Sequence, residues 1–305
     1  MFASLKRKDK MLRELPLYLM LLPAVILVAI FSYGSMAGVI IAFQKFIPAK
    51  GMFGHQQWVG FQNFVTLFSM PNIGLVIRNT VIIALCKMIA GVIVPVGFAL
   101  LLNEVRNHLT KRIFQTLVYL PHFLSWVILS GILLNLLSPN EGFVNVVLSK
   151  LGIEPIFFLG NADVFPATMV ISDIWKTFGF GSVIYLAALT GIDPALYEAA
   201  VIDGANRWQQ TRHITLPGIS TMVVLMTVLG LANILNGGFD QIYNMYSPVV
   251  YSTGDILDTF VFRLGIEQAQ YALSTAAGLF KSCVSLIFIV VSYYLADKLT
   301  GYRVF

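Results

Sequence analysis

A chain of 305 residues that is 57% hydrophobic and only 11% charged, with a mean hydropathy of +0.80, is not an ordinary soluble enzyme, which carries roughly 25% charged residues. The same figures exclude a disordered chain, which needs low hydrophobicity and high charge. The formal charge of +5 points to nucleic acid only where membrane topology leaves it unexplained.

Six stretches reach the ~20 mostly apolar residues of a membrane helix: 17–43, 79–102, 113–137, 164–189, 219–235 and 273–296. The fifth is short and gains length only by extending toward Pro217. The basic stretch before the first span resembles the start of a signal peptide. Its apolar run, however, exceeds the ~7–15 residues of a signal h-region, so it reads as a retained span. The spacing therefore predicts an all-α integral membrane protein: a basic tail 1–16, a six-span domain 17–296 and a short tail 297–305.

Lysine and arginine set the orientation. The N-terminal tail (Lys6, Arg7, Lys8, Lys10, Arg13), the 103–112 link, the 190–217 link and the C-terminal tail hold twelve, against five in the other connections. Both termini are expected in the cytoplasm, and topology absorbs the basic excess without nucleic acid. On the outer side, Phe61, Phe64, Leu67 and Phe68 predict a short interfacial helix, and Phe143, Val146, Val147 and Leu151 a second. The third outer segment, 236–272, is rich in Gly, Asn, Tyr and Asp.

Several chemistries are missing. No Gly-x-x-x-x-Gly-Lys-Ser/Thr loop is present to cradle ATP; Gly278–Ser282 ends in Lys-Ser but lacks the spacing. His55, His108, His122 and His213 have no metal-ligand spacing, and no Gly-x-Ser-x-Gly elbow occurs. Cys86 and Cys283 form neither a disulfide framework nor a zinc site and read as small packing residues.

The 190–217 link is the most informative segment. Asp193 is a good N-cap, Pro194 suits the first helical position, and Gly204 suits the position that ends a helix. Leu196, Ala199, Ala200 and Asp203 recur at i, i+3, i+4 and i+7. A second short helix is expected from Asn206 toward His213, with Pro217 marking entry into the fifth span. Links of two to eight residues suffice between helices, so this pair either docks on a cytoplasmic partner or rests on lipid headgroups.

Glu198-Ala199-Ala200, Gly204 and Ile214-Thr215-Leu216-Pro217 fit E-A-A-x3-G-x9-I-x-L-P at every fixed position. This resembles the EAA loop of permease subunits of binding-protein-dependent ABC importers. Trp58–Phe64, Tyr119-Leu120-Pro121 and the closing Gly301–Phe305 resemble the carbohydrate-uptake branch, in particular its lipoprotein-dependent oligosaccharide and polysaccharide permeases. The resemblance implies a type I ABC importer permease fold, with no hydrolysis and no cofactor of its own. ATP-Mg would be used by two partner ATP-binding subunits. It implies that Glu198, Ala199, Ala200, Asp203, Gly204, Ile214, Leu216 and Pro217 couple to the ATPase, with Glu198 meeting it and Gly204 making the turn. A second homologous permease in a heterodimer, an extracellular solute-binding lipoprotein, an oligosaccharide substrate and a bacterial cytoplasmic membrane complete the expectation.

Charged groups inside spans are costly and point to function. Lys87, Asp173, Lys176 and Lys281 are the examples, and Asp173 and Lys176, three apart, are expected to pair on one helix face, as structure or as gate. In similar permeases the spans flanking the EAA loop line the cavity, which implies Thr177, Phe180, Gly230, Asn233 and Gly237 as substrate-pathway residues, with Asn236 and Lys176 as additions. Amides and flat aromatic faces are groups that bind sugars; small residues and amides also pack helices. An ion-coupled secondary transporter is the alternative, with Asp173 as the one intramembrane acid. An intramembrane hydrolase would have only Ser125 beside His122 to work with.

Overall fold

The computed structural model describes residues 2–52 and 54–300, and side chains for 14–52, 54–295, 297 and 298. The side chains of the N-terminal basic cluster and the Gly301–Phe305 motif lie outside the described residues. The chain divides into two compact units, Met1–Leu67 with Leu264–Leu279 and Phe68–Arg263 with Phe280–Phe305.

In the first unit, α1 (Phe2–Val28) continues through a π turn (Ala29–Tyr33) and a 3-10 stretch (Ala37–Phe43). Residues Glu14–Phe43 are long and apolar enough to span a bilayer, and none of their most apolar window is buried by this chain. The span ends in a two-residue antiparallel ladder, β1 (Gln44–Lys45) with β2 (Gln57–Trp58), registered Gln44 to Trp58. The Trp58–Phe64 motif has a structural task here. Phe43 stacks on Trp58 at 5.8 Å and meets Phe61 edge-on. Asn63, in α2 (Gln62–Phe68), donates to the carbonyls of Ala42 and Gln44 at 2.8 and 3.0 Å. These bonds occupy carbonyls that the end of the span would otherwise leave open.

The second unit is built on α3 (Ile73–Glu104) packed along α7 (Phe165–Thr190), its most extensive helix pairing. The predicted third span, 113–137, is not one rod. It is α4 (His108–Tyr119) with a 3-10 turn (Leu120–Phe123), then α5 (Trp126–Leu136), bent by 106°. Pro121 has no N–H to continue the ladder. Leu124 is extended, and the Ser125 hydroxyl accepts from the Ile128 N–H at 3.3 Å, capping a new helix. The Tyr119-Leu120-Pro121 motif is the break itself.

Past α6 (Phe143–Lys150), the second predicted interfacial helix, the chain enters α7 and then turns 70° into α8 (Pro194–Ile202). The predicted separate helix from Asn206 is continuous with the fifth span as α9 (Arg207–Ala232), 26 residues including a π turn at Thr211–Thr215. At 1.5 Å per residue this rod is about 39 Å long, so the short span gets its length from the EAA loop. It ends three residues before the predicted 235, with Asn233 as C-cap. The segment 236–272, for which composition named no element, contains α10 (Phe239–Met245) and α11 (Leu257–Phe262), and α12 (Tyr271–Thr300) follows. Ile83, Leu129, Phe165, Met169, Ile242 and Ile256 form one buried cluster, joining α3, α5 and α7 to that outer segment.

Among the described residues, four helices are long and apolar enough to cross a membrane, and six segments are if each bent pair counts as one. The sixth of these includes α8, which the turn at Gly191–Asp193 swings away from α7. Cys86 and Cys283, read as packing residues, are exposed on their helices.

Candidate functional site: a docking loop and a central cavity

The loop forms from local chemistry. The Asp193 carboxylate accepts from the Ala195 N–H at 2.9 Å, and Pro194 occupies the first turn of α8. At the far end Gly204 adopts φ +78°, and the Ala205 N–H reaches back to the Ala200 carbonyl at 2.8 Å. That is a Schellman-type stop, for which glycine is favoured because an L side chain is strained at positive φ. Asn206 and Gln209 then form a reciprocal capping box that starts α9. Tyr197 Oη lies 3.0 Å from Thr215 Oγ1, and Gln210 donates to the Ala205 carbonyl, which lashes α8 to α9.

Several of the side chains that this pair leaves uncovered are large and apolar. Ile202 is 85% exposed and Trp208 71%, and Leu196 and Val201 are exposed beside them. The Leu196, Ala199 and Asp203 stripe is therefore exposed, while Tyr197 and Ala200 turn partly inward. Glu198, exposed, lines a groove of about 680 Å³ with Arg106, Tyr197 and Ile202. Across it Arg207 meets Glu104 at 3.6 Å, linking α9 to the end of α3. Ala200, Asp203, Gly204 and Ile214 line a second depression of about 350 Å³. Leu216 and Pro217 are exposed on α9 just beyond.

A cavity of about 310 Å³ lies between α3, α7 and α9. Gly230, Asn233 and Asn236, three of the expected pathway residues, line it together with Lys87, Asp173 and Tyr185. Gly237 is not on the wall. Its carbonyl accepts from Lys87 Nζ at 2.9 Å, and a Cβ there would press on Ile256. Thr177, Phe180 and Lys176 do not line the cavity. Thr177 bonds the Asp173 carbonyl at 2.8 Å. Phe180 stacks on His122 with centroids 4.2 Å apart.

The expected Asp173–Lys176 pair is not made. Lys176 Nζ donates to the His122 carbonyl at 2.9 Å and sits over the Trp126 ring at 5.5 Å. It thus bridges the break in the third span, whose unpaired carbonyl attracts a donor. Asp173 instead faces Lys87 on α3 at 3.7 Å. Lys87 also bonds Gln241 Oε1, and the Gln241 amide donates to Met169 O and Ser172 Oγ at 2.7 and 2.8 Å. Spans two and four are thereby tied to α10. Sequence reading singled out Lys87 as an intramembrane charge but placed it in no site, because nothing local names its partner. Lys281 likewise pairs with Asp258 and Asn236. Asp255 and Arg263 form a third pair, buried in the outer segment. Ser125 is used as a helix cap, and among the described residues no group of three or more His, Cys, Asp or Glu is placed to hold a metal.

Residues 87–301 match the family described as binding-protein-dependent transport system inner membrane component. The polygalacturonan/rhamnogalacturonan transport system permease protein YteP of Bacillus subtilis (strain 168) is 40% identical over 300 residues, covering 97% of this chain and 93% of that one. Protein LplB of the same organism is 41% identical, covering 97% and 91%. Among solved structures, a bacterial ABC transporter involved in the import of the acidic polysaccharide alginate superposes with a TM-score of 0.88. It is 38% identical and covers 97% of this chain and 99% of the other. A second structure, that transporter with an alginate pentasaccharide-bound periplasmic protein, gives 0.87 at 38% identity.

Proposed function

The chain belongs to the family of inner membrane components of binding-protein-dependent transport systems, and from that premise we propose that its EAA loop is the element that couples it to a separate ATPase. It is a multi-pass permease subunit of a sugar or polysaccharide ABC importer in the cytoplasmic membrane, and it is not itself the ATPase. It works with a solute-binding protein.

The observation that carries the docking reading is the exposure of Leu196, Val201, Ile202 and Trp208, large apolar side chains that the chain's own packing leaves uncovered. An apolar patch of this kind marks an interaction surface. Glu198 at its edge supplies a charge for register. One of two ATP-binding subunits, using ATP-Mg, takes this face in its groove, and both termini lie on the same cytoplasmic side. The tie between Tyr197 and Thr215 passes closure of the ATPases to α9, whose far end carries Gly230 and Asn233. A second, different permease completes the pathway, and a lipoprotein delivers the solute. The substrate is an oligosaccharide with uronic acid units. The named substrates of a relative at 40% identity and of the solved transporter at 38% support that class.

The test is purification of the tagged chain from its native membrane in mild detergent, with co-purified proteins identified by mass spectrometry. A P-loop ATPase, a second EAA-bearing permease and a lipoprotein are expected. The chain recovered alone, and transporting in vesicles without ATP, would overturn the reading in favour of an ion-coupled carrier.

A further inference from the structure

The central cavity has one carboxylate on its wall, that of Asp173 in the middle of α7, 23% exposed. Lys87 Nζ faces it at 3.7 Å, an ion-pair distance and longer than a normal hydrogen bond. The shorter bonds of that ammonium go to neutral oxygens, the Gly237 carbonyl at 2.9 Å and Gln241 Oε1. Thr177 donates to the backbone carbonyl of Asp173 and not to its carboxylate. Among the described residues, no donor lies within normal hydrogen-bond distance of either carboxylate oxygen.

An ionised carboxylate accepts at about four lone-pair positions, and a charge inside a membrane span that leaves them open has been retained against a cost. The neighbouring amides are already tied to the protein. Asn233 donates to the Leu229 carbonyl and accepts from Asn236, and the Asn236 oxygen accepts from Lys281. Asp173 is thus the charged acceptor on this wall with capacity left over. A ligand that satisfies it must bring donors, and Lys87 supplies the countercharge that keeps the wall from repelling an anionic one. Sugars carry neighbouring hydroxyls, whose two O–H groups can meet the two oxygens of one carboxylate.

We propose that Asp173 is a specificity-determining residue that accepts hydrogen bonds from hydroxyls of a sugar unit passing through the cavity, with Lys87 as its countercharge. The proposal rests on the reading of the chain as a sugar permease.

The complete importer (this chain with its partner permease, ATPases and binding protein), reconstituted in liposomes, tests it with trigalacturonate as probe. D173N keeps the side-chain shape but loses the charge and one acceptor. Its uptake rate is expected to fall roughly tenfold, the loss that goes with a charged hydrogen bond, with more ATP hydrolysed per sugar. The double variant K87M/D173L removes the pair without leaving a lone charge. It is expected to assemble, yet to stay as slow in uptake as D173N. Wild-type uptake by either variant would overturn the proposal, because Asp173 would then serve only as a structural partner of Lys87. A wild-type importer that takes up neither trigalacturonate nor neutral maltotriose would remove the functional reading, and the proposal with it.

Discussion

Lys87 and Asp173 face each other at 3.7 Å across the second and fourth spans, while Lys176, one helical turn beyond Asp173, points away to the His122 carbonyl. The two lysines thus do different work. One closes a charge pair at the cavity and holds the outer segment through Gly237 and Gln241; the other mends the backbone break in the third span.

Removing one partner of such a pair leaves the other charge without compensation, at a cost of about 3–5 kcal/mol, whereas removing both is often near neutral. The K87M single variant is therefore expected to lower the melting temperature of the purified complex markedly. K87M/D173L should recover the part due to the lone charge, while the Gly237 carbonyl and Gln241 Oε1 still lack their donor. A thermal-shift assay in detergent separates this recovery of stability from the persistent loss of uptake expected above.

Charge reversal at Glu198 tests the docking loop. Because Glu198 is exposed and its side chain makes no hydrogen bond among the described residues, E198K is expected to leave the permease folded. Uptake is expected to fall to background while ATP hydrolysis becomes independent of loaded binding protein. Normal uptake by E198K, with the ATPase still bound in a pull-down, would remove Glu198 from the coupling role.

At Gly204 the strain is in the backbone alone. With φ +78° and open space around a hypothetical Cβ, alanine meets no neighbour but is held in the left-handed region, at roughly 1–2 kcal/mol. G204A is expected to weaken ATPase association measured by co-purification. G204N should be closer to wild type, since asparagine enters that region more readily. Equal loss in both would point to a contact with the partner rather than to backbone conformation.

Gly179 makes the opposite case. A Cβ there would collide with the Val118 carbonyl of α4, and backbone cannot move aside as a flexible side-chain end does. Overpacking of this kind costs about 1–3 kcal/mol or more. G179A is expected to reduce the yield of assembled complex in the membrane, while G97A, with nothing within 4 Å of its Cβ, should be silent in the same immunoblot.

Hydropathy alone located the spans, because ~20 apolar residues in a row have few other uses. Asp193, Pro194 and Gly204 were equally readable, because each acts on its own or adjacent backbone groups. The EAA loop was legible through its resemblance to a family motif, E-A-A-x3-G-x9-I-x-L-P. The segment 236–272 was not: α10 and α11 are seven- and six-residue helices, too short to stand alone. They hold their shape by packing Ile242, Met245 and Ile256 into the core beneath.

The sequence by itself therefore determined what depends on neighbours along the chain: a membrane protein, its apolar runs, its basic asymmetry and the start and stop of the docking helix. The tertiary structure decided everything that depends on choosing among distant partners. It gave Asp173 to Lys87 and not to Lys176, joined Arg207 to Ala232 in one rod, broke the third span at Pro121, and set Asn233 and Asn236 on the wall of the cavity that Asp173 also lines. The reason is geometric. Hydropathy is read along one contiguous run and capping within about one helical turn, whereas which charge meets which across two spans follows from how α3, α7 and α9 pack.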